Sequence, residues 1–161
     1  MSRGTAAGRR WRRQDGFIGG AEALIFGVLI FLGGSITVLN AWAVMDAKMA
    51  VTAAAREGAR TAVDAPAGSE VADVLALVDV TTREALTAQG RDTGNLTGAP
   101  SVSGTLARCA PVTVEVAYRV RGIRGPWVGT FGGASIEVTG RHTEVVDPFR
   151  SGLPGEAGCA F

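Results

Sequence analysis

Between Ala23 and Val44 the chain carries no charged residue, and only Ser35, Thr37 and Asn40 interrupt its apolar and small side chains. About 20 predominantly apolar residues suffice for a helix to cross the hydrocarbon core of a bilayer, so this segment is long enough to span one. The helical pattern continues past it. Residues 46–65, DAKMAVTAAAREGARTAVDA, contain no proline before Pro66 and are rich in alanine, the best helix former. One helix is therefore predicted from about Phe17 to Asp64, with residues 17–44 in the membrane and 45–65 as its extension.

On that extension Ala47, Val51, Ala54, Gly58 and Ala62 recur at three- and four-residue intervals, while Asp46, Lys48, Arg56, Glu57, Arg60 and Asp64 take other faces. A stripe of small side chains permits close approach of a helix or a sheet. Its partner can be the chain's own domain or another subunit, since both bury the same kind of stripe.

After Pro66-Ala67-Gly68 a second helix is predicted over residues 70–89, with Ser69 as N-cap, Glu70 and Asp73 in the first turn, and Gly90 closing it. Its apolar positions, Val71, Val74, Leu75, Val78, Ala85 and Leu86, suit it to cover a sheet. The turn-rich segment GRDTGNLTGAPS, residues 90–101, reads as a loop.

Val112, Val114, Val116, Tyr118 and Val120 alternate with more polar residues, the signature of a half-buried strand. A weaker strand, Ser101–Arg108, precedes it. Another, Ser135–Val146, follows, and its alternation slips near Gly140, where a bulge is expected. The predicted architecture is α+β: a long N-terminal helix, then an exterior domain over 66–161 with one helix on a roughly three-stranded antiparallel sheet and an irregular tail from Asp147. Trp127 and Phe131, in the Gly- and Pro-punctuated stretch 122–133, either fold over the sheet as a lid or stand out as a contact surface.

Charge sets the direction of the span. Arg3, Arg9, Arg10, Arg12 and Arg13 stand against Asp15 alone in residues 1–16, so the positive-inside rule makes 1–16 a basic cytoplasmic leader and puts the C-terminal domain outside. Ala41-Trp42-Ala43 also fits a signal-peptidase site, but the apolar run exceeds the usual signal length and has Glu22 at its head. Residues 44–161 hold eleven Lys/Arg against thirteen Asp/Glu, which provides no clustered basic surface for nucleic acid.

No nucleophile elbow, phosphate loop, zinc-binding pair or dinucleotide fingerprint occurs in the sequence, so no enzyme activity, cofactor or metal is expected. His142 reads as a solvent-facing strand residue. Cys109 and Cys159 are the only cysteines and fall on the exterior side, where they are expected to pair. Closing a loop of that length contributes about 4 kcal/mol in the chain-entropy model.

The stretch GFIGGAEALIF, residues 16–26, puts Glu22 at the mouth of the span. A central carboxylate costs about 2.5–3.5 kcal/mol on insertion scales and one near the end costs less, so its presence needs a use. The Arg-rich head, the glycine-containing junction, Glu22, the single long helix and the run AAREGARTAV at residues 54–63 together resemble the TadE-like family of minor pseudopilins of tight-adherence (Flp-type) pilus systems.

That resemblance implies a type IV pilin-like subunit, an inner-membrane precursor trimmed after a glycine by a prepilin peptidase and used in assembling a filament. Its partners would be the lipid bilayer, other pilin-like subunits and the pilus assembly machinery. Glu22 would neutralise the new amino terminus of a neighbouring subunit. A cut after Gly16 makes Phe17 the first residue and Glu22 the sixth, one beyond the family's usual fifth position. The competing reading is a permanently anchored exterior binding module that never enters a filament.

Overall fold

A computed structural model describes residues 15–122, 135–156, 158 and 159, with side chains from Gly20 onward. Helix α1 covers Asp15–Asp64, 50 residues without interruption, and begins two residues before the predicted Phe17. Helix α2 covers Val71–Ala88, a 3₁₀ turn covers Thr93–Asn95, and the strands are β1 Ser101–Gly104, β2 Pro111–Arg121 and β3 Ser135–Val145. The strands form one antiparallel sheet in the order β1-β2-β3, so the architecture is α+β with the sheet packed against helices. Trp127 and Phe131 lie outside the described residues.

The chain divides into two compact units, residues 1–38 and 39–161. In the first, no residue from 20 to 38 is buried, and Leu24, Phe26, Ile30, Phe31 and Val38 are exposed. The Thr37 hydroxyl donates to the Gly33 carbonyl at 2.9 Å, which satisfies its polarity within the helix. This helix is long and apolar enough to cross a membrane.

The second unit holds the core. Ala47, Val51, Ala54, Gly58 and Ala62 are all buried within the chain's own domain, together with Ala55 and Ala59. Facing them are Val112, Val114, Val116 and Tyr118 of β2 and Val74, Val78 and Leu86 of α2. Gly58 marks the crossing of the three elements: a Cβ there would sit 2.9 Å from Thr82 Oγ1 and 3.3 Å from both Val114 and Val78.

The slip in alternation at Gly140 is not a bulge. Register is unbroken from Pro111↔Val145 through Val116↔Gly140 to Arg121↔Ser135. A Cβ on Gly140 would instead lie 2.5 Å from the carbonyl carbon and oxygen of Val51, so glycine is required where the backbone of α1 lies directly on β3.

Helix α2 also departs from expectation at its start. Its N-cap is Glu70, in an extended conformation with no side-chain cap, whereas Ser69 donates its N–H to the Pro66 carbonyl at 3.1 Å in the preceding turn. Val74, Val78, Thr82 and Leu86 make the buried row, leaving Val71 76% and Leu75 40% exposed. A single i, i+4 row meets α1 and β2, so the two apolar residues beside its first turn remain on the surface. The helix ends as predicted at Gly90, whose φ of 69° allows a Schellman arrangement: Gly90 N–H donates to Thr87 O and Arg91 N–H to Leu86 O, both at 2.9 Å.

Strand β1 stops at Gly104 rather than Arg108. Gly104 has φ 119° and a Cβ there would come within 2.3 Å of the Pro111 carbonyl oxygen, so the chain turns away where the ladder was expected to continue. Within the 90–101 segment the Asp92 carboxylate accepts from Gly94 N–H at 2.9 Å, and Leu96 bridges to Tyr118.

The tail is irregular but tied down. Cys109 N–H donates to Val146 O at 3.0 Å, Arg108 N–H to Pro154 O at 2.8 Å, and Arg108 Nε to Arg150 O at 2.9 Å. Arg150 Nη2 in turn donates to the Ala65 carbonyl at the end of α1, and Val146 and Leu153 are buried. A Cys109–Cys159 disulfide, Cα to Cα 5.3 Å, closes this end of the domain.

Candidate interaction surfaces

Glu22 lies on the exposed first unit of α1, and Gly16 and Phe17 lie within the first turn of the same helix. The predicted helix-packing stripe is elsewhere and is covered: Ala47, Val51, Ala54 and Ala62 are each 0% exposed, against β2 and α2. The alternative left open by the sequence is thus resolved in space, and any neighbour of α1 must use a different face.

The face of α1 that remains bare after Val38 carries Trp42, Met45 and Met49, which are 69%, 68% and 63% exposed. Spacing of three and four residues puts them on one side of the helix. Together with Val44, Val138 and Thr139 they border a largely apolar groove of about 590 Å³ between α1 and β3. Asp46 and Glu137 also line it, but Asp46 is held by an ion pair with Arg91. Lys48 Nζ reaches across to donate to the Thr139 carbonyl, covering part of the edge of β3 that no strand pairs among the described residues.

A second recess of about 440 Å³ follows along the same seam, bordered by Lys48, Met49, Thr52, Ala53, Arg56 and His142. His142 therefore does not face solvent as an outward strand residue would. It pairs in register with buried Val114 on the helix-facing side, half buried, with Nε2 3.6 Å from Glu144 Oε2. Strand alternation around a glycine gave no indication of which face the helix would take.

The opposite side of the sheet is a polar ladder. Thr113 and Thr143 share a hydroxyl hydrogen bond at 2.7 Å, Arg141 Nε donates to Glu115 at 3.0 Å, and Arg119 is the register partner of Glu137. On α2, Arg83 Nε donates to Asp79 at 2.8 Å, and this hydrogen bond raises the guanidinium above its ordinary pKa. Among the described residues no group of three or more His, Cys, Asp or Glu side chains is placed to hold a metal ion.

Reading the sequence for small-residue stripes missed the Trp42, Met45 and Met49 row, and Trp42 entered only as the centre of a cleavage pattern. The signal was available as large apolar residues at helical spacing next to Asp46 and Lys48. No protein-family model, curated protein or solved structure matches the chain.

Proposed function

We propose that this chain is a pilin-like structural subunit or assembly factor of a tight-adherence type pilus, of the TadE-like kind. It is anchored in the membrane with residues 1–16 in the cytoplasm and the α+β domain outside, and it associates through α1. The observation that carries the reading is a single 50-residue helix whose first part is bare and apolar while its second part is built into a small disulfide-closed domain. A permanent anchor needs only the first part; a subunit that packs by its helix uses a helix that continues beyond the span, as this one does.

Glu22 is the residue assigned to assembly, and Gly16–Phe17 is the assigned cleavage junction. The test is Glu22→Ala in the full chain, with N-terminal sequencing of the mature protein. Loss of piliation with membrane insertion retained, and a mature start at Phe17, is the expected result. Unchanged piliation in Glu22→Ala would refute the assembly role. An intact N-terminus, together with full function after exchange of residues 17–44 for an unrelated spanning helix, would instead give the anchored binding module, the reading favoured by Glu22 being sixth rather than fifth from Gly16.

A further inference from the structure

We propose that the seam between α1 and β3 is a binding site for an anionic bilayer phospholipid, with an acyl chain in the Trp42–Met45–Met49 groove and the headgroup phosphate at Lys48 and Arg56. This rests on reading α1 as a membrane-spanning helix. Two recesses share Lys48 and Met49 and are ordered along the helix. The apolar one, floored by Val138, comes first, and the one bordered by Lys48, Thr52, Arg56 and His142 follows. A phospholipid entering from the end of the span presents its tail and its phosphate in that same order.

Position along the helix supports this occupant. The uncharged run closes at Met45, just before Asp46, and with a rise of about 1.5 Å per residue a core of about 30 Å is filled by about 20 residues, so Trp42 and Met45 fall at the boundary between hydrocarbon and headgroups. Tryptophan, amphipathic and more than two-thirds exposed here, is the residue that settles at that boundary. Met49 lies about 10 Å further along, still exposed, on the same side.

The polar end is equally suited. Lys48 spends one of its three N–H groups on the Thr139 carbonyl, which orients the ammonium and leaves two for an oxyanion. Arg56 is exposed one turn beyond Thr52, whose hydroxyl is occupied by the Lys48 carbonyl at 2.8 Å. Three carboxylates lie nearby. Asp46 is ion-paired with Arg91, Glu144 Oε2 is 3.6 Å from His142 Nε2, and Glu137 is in register with Arg119, so each has a basic neighbour of its own.

The experiment uses the full chain reconstituted in phosphatidylcholine vesicles doped with a phosphatidylglycerol probe carrying a photoreactive acyl chain, with labelled peptides mapped by mass spectrometry. Labelling is expected at residues 42–49 and 136–139 and to exceed that by the matching phosphatidylcholine probe. Arg56→Ala should reduce the preference about fivefold, and Lys48→Ala with Arg56→Ala about thirtyfold, as expected for one and two cations at an anionic surface.

Met45→Glu should abolish seam labelling by either probe. Arg56 is exposed, so Arg56→Ala reads the headgroup even where Lys48→Ala unsettles β3. Equal labelling by both probes, or displacement by inorganic phosphate, overturns the proposal. So does an unlabelled seam in which Met49→Cys, the sole free thiol because Cys109 and Cys159 are bonded to each other, links two copies. Carbonate extraction of the same vesicles separates the failures: a retained but unlabelled chain overturns the lipid site alone, and a stripped chain overturns the span with it.

Discussion

Residues 20–38 and 47–64 belong to one helix and draw on the same small and aliphatic side chains, yet none of the first set is buried and Ala47, Val51, Ala54, Ala55, Ala59 and Ala62 of the second are wholly so. Glycine shows the difference most clearly. A Cβ on Gly20, Gly27, Gly33 or Gly34 would meet nothing within 4 Å, whereas one on Gly58 would press on Thr82, Val114 and Val78. The same residue type is thus an open surface in one stretch and a packing requirement in the other. What distinguishes the stretches is the mixture around the small residues: the charges of Asp46, Lys48, Arg56, Glu57, Arg60 and Asp64 leave one face for a soluble core, and the absence of charge in 23–44 leaves every face apolar.

The largest expected effect separates the stretches by stability. Replacing both Cys109 and Cys159 by serine should remove about 4 kcal/mol from the domain, the chain-entropy value for a 50-residue loop, and lower its thermal midpoint while membrane insertion of residues 20–38 is unchanged. Circular dichroism melts and carbonate extraction of the same variant check the two halves of that statement. A domain as stable without the bond would show that the hydrogen bonds of Arg108 and Arg150 hold the tail unaided.

Next in size is a pair of glycine substitutions. Gly140→Ala forces a methyl group against the Val51 backbone and should cost about 1–3 kcal/mol, as overpacking does. Gly27→Ala, with open space around it, should leave the melt unchanged or raise helicity slightly. Equal effects from the two would erase the distinction between the stretches.

The smallest effect probes the quality of the packing. Thr82 is fully buried, and its hydroxyl has no hydrogen-bond partner among the described residues. Thr82→Val keeps the shape and removes the unsatisfied group, so urea denaturation should show stability unchanged or higher by about 1 kcal/mol. A clear loss would mean that the hydroxyl over Gly58 is hydrogen-bonded in solution, through a water for example.

Much of the fold was legible because its elements are written locally. The alternation of Val112 to Val120 names a half-buried strand whatever packs on it, Gly90 marks a helix end because only glycine enters the required φ cheaply, and the uncharged run from Ala23 names a possible span. Cys109 and Cys159 were legible as a pair because they are the only two cysteines. The surface was less so. Val71 and Leu75 have the periodicity of core residues and remain exposed, His142 has the look of a surface residue and turns toward α1, and Ser69 has the chemistry of a cap but lies one residue too early.

The sequence by itself determined the long helix, the strand pattern and the pairing of the cysteines, because each depends on neighbours within a few residues or on simple counting. Only the tertiary structure decided what the small residues touch. The Ala47–Ala62 stripe packs on the chain's own sheet and on α2, and the Trp42, Met45 and Met49 side of α1 stays exposed. Gly140 looks like a flaw in a strand until Val51 is placed over it, 89 residues earlier in the chain. Close packing between distant segments is set by shape in three dimensions, and a side chain's type records how much room it needs but not which segment supplies the other wall.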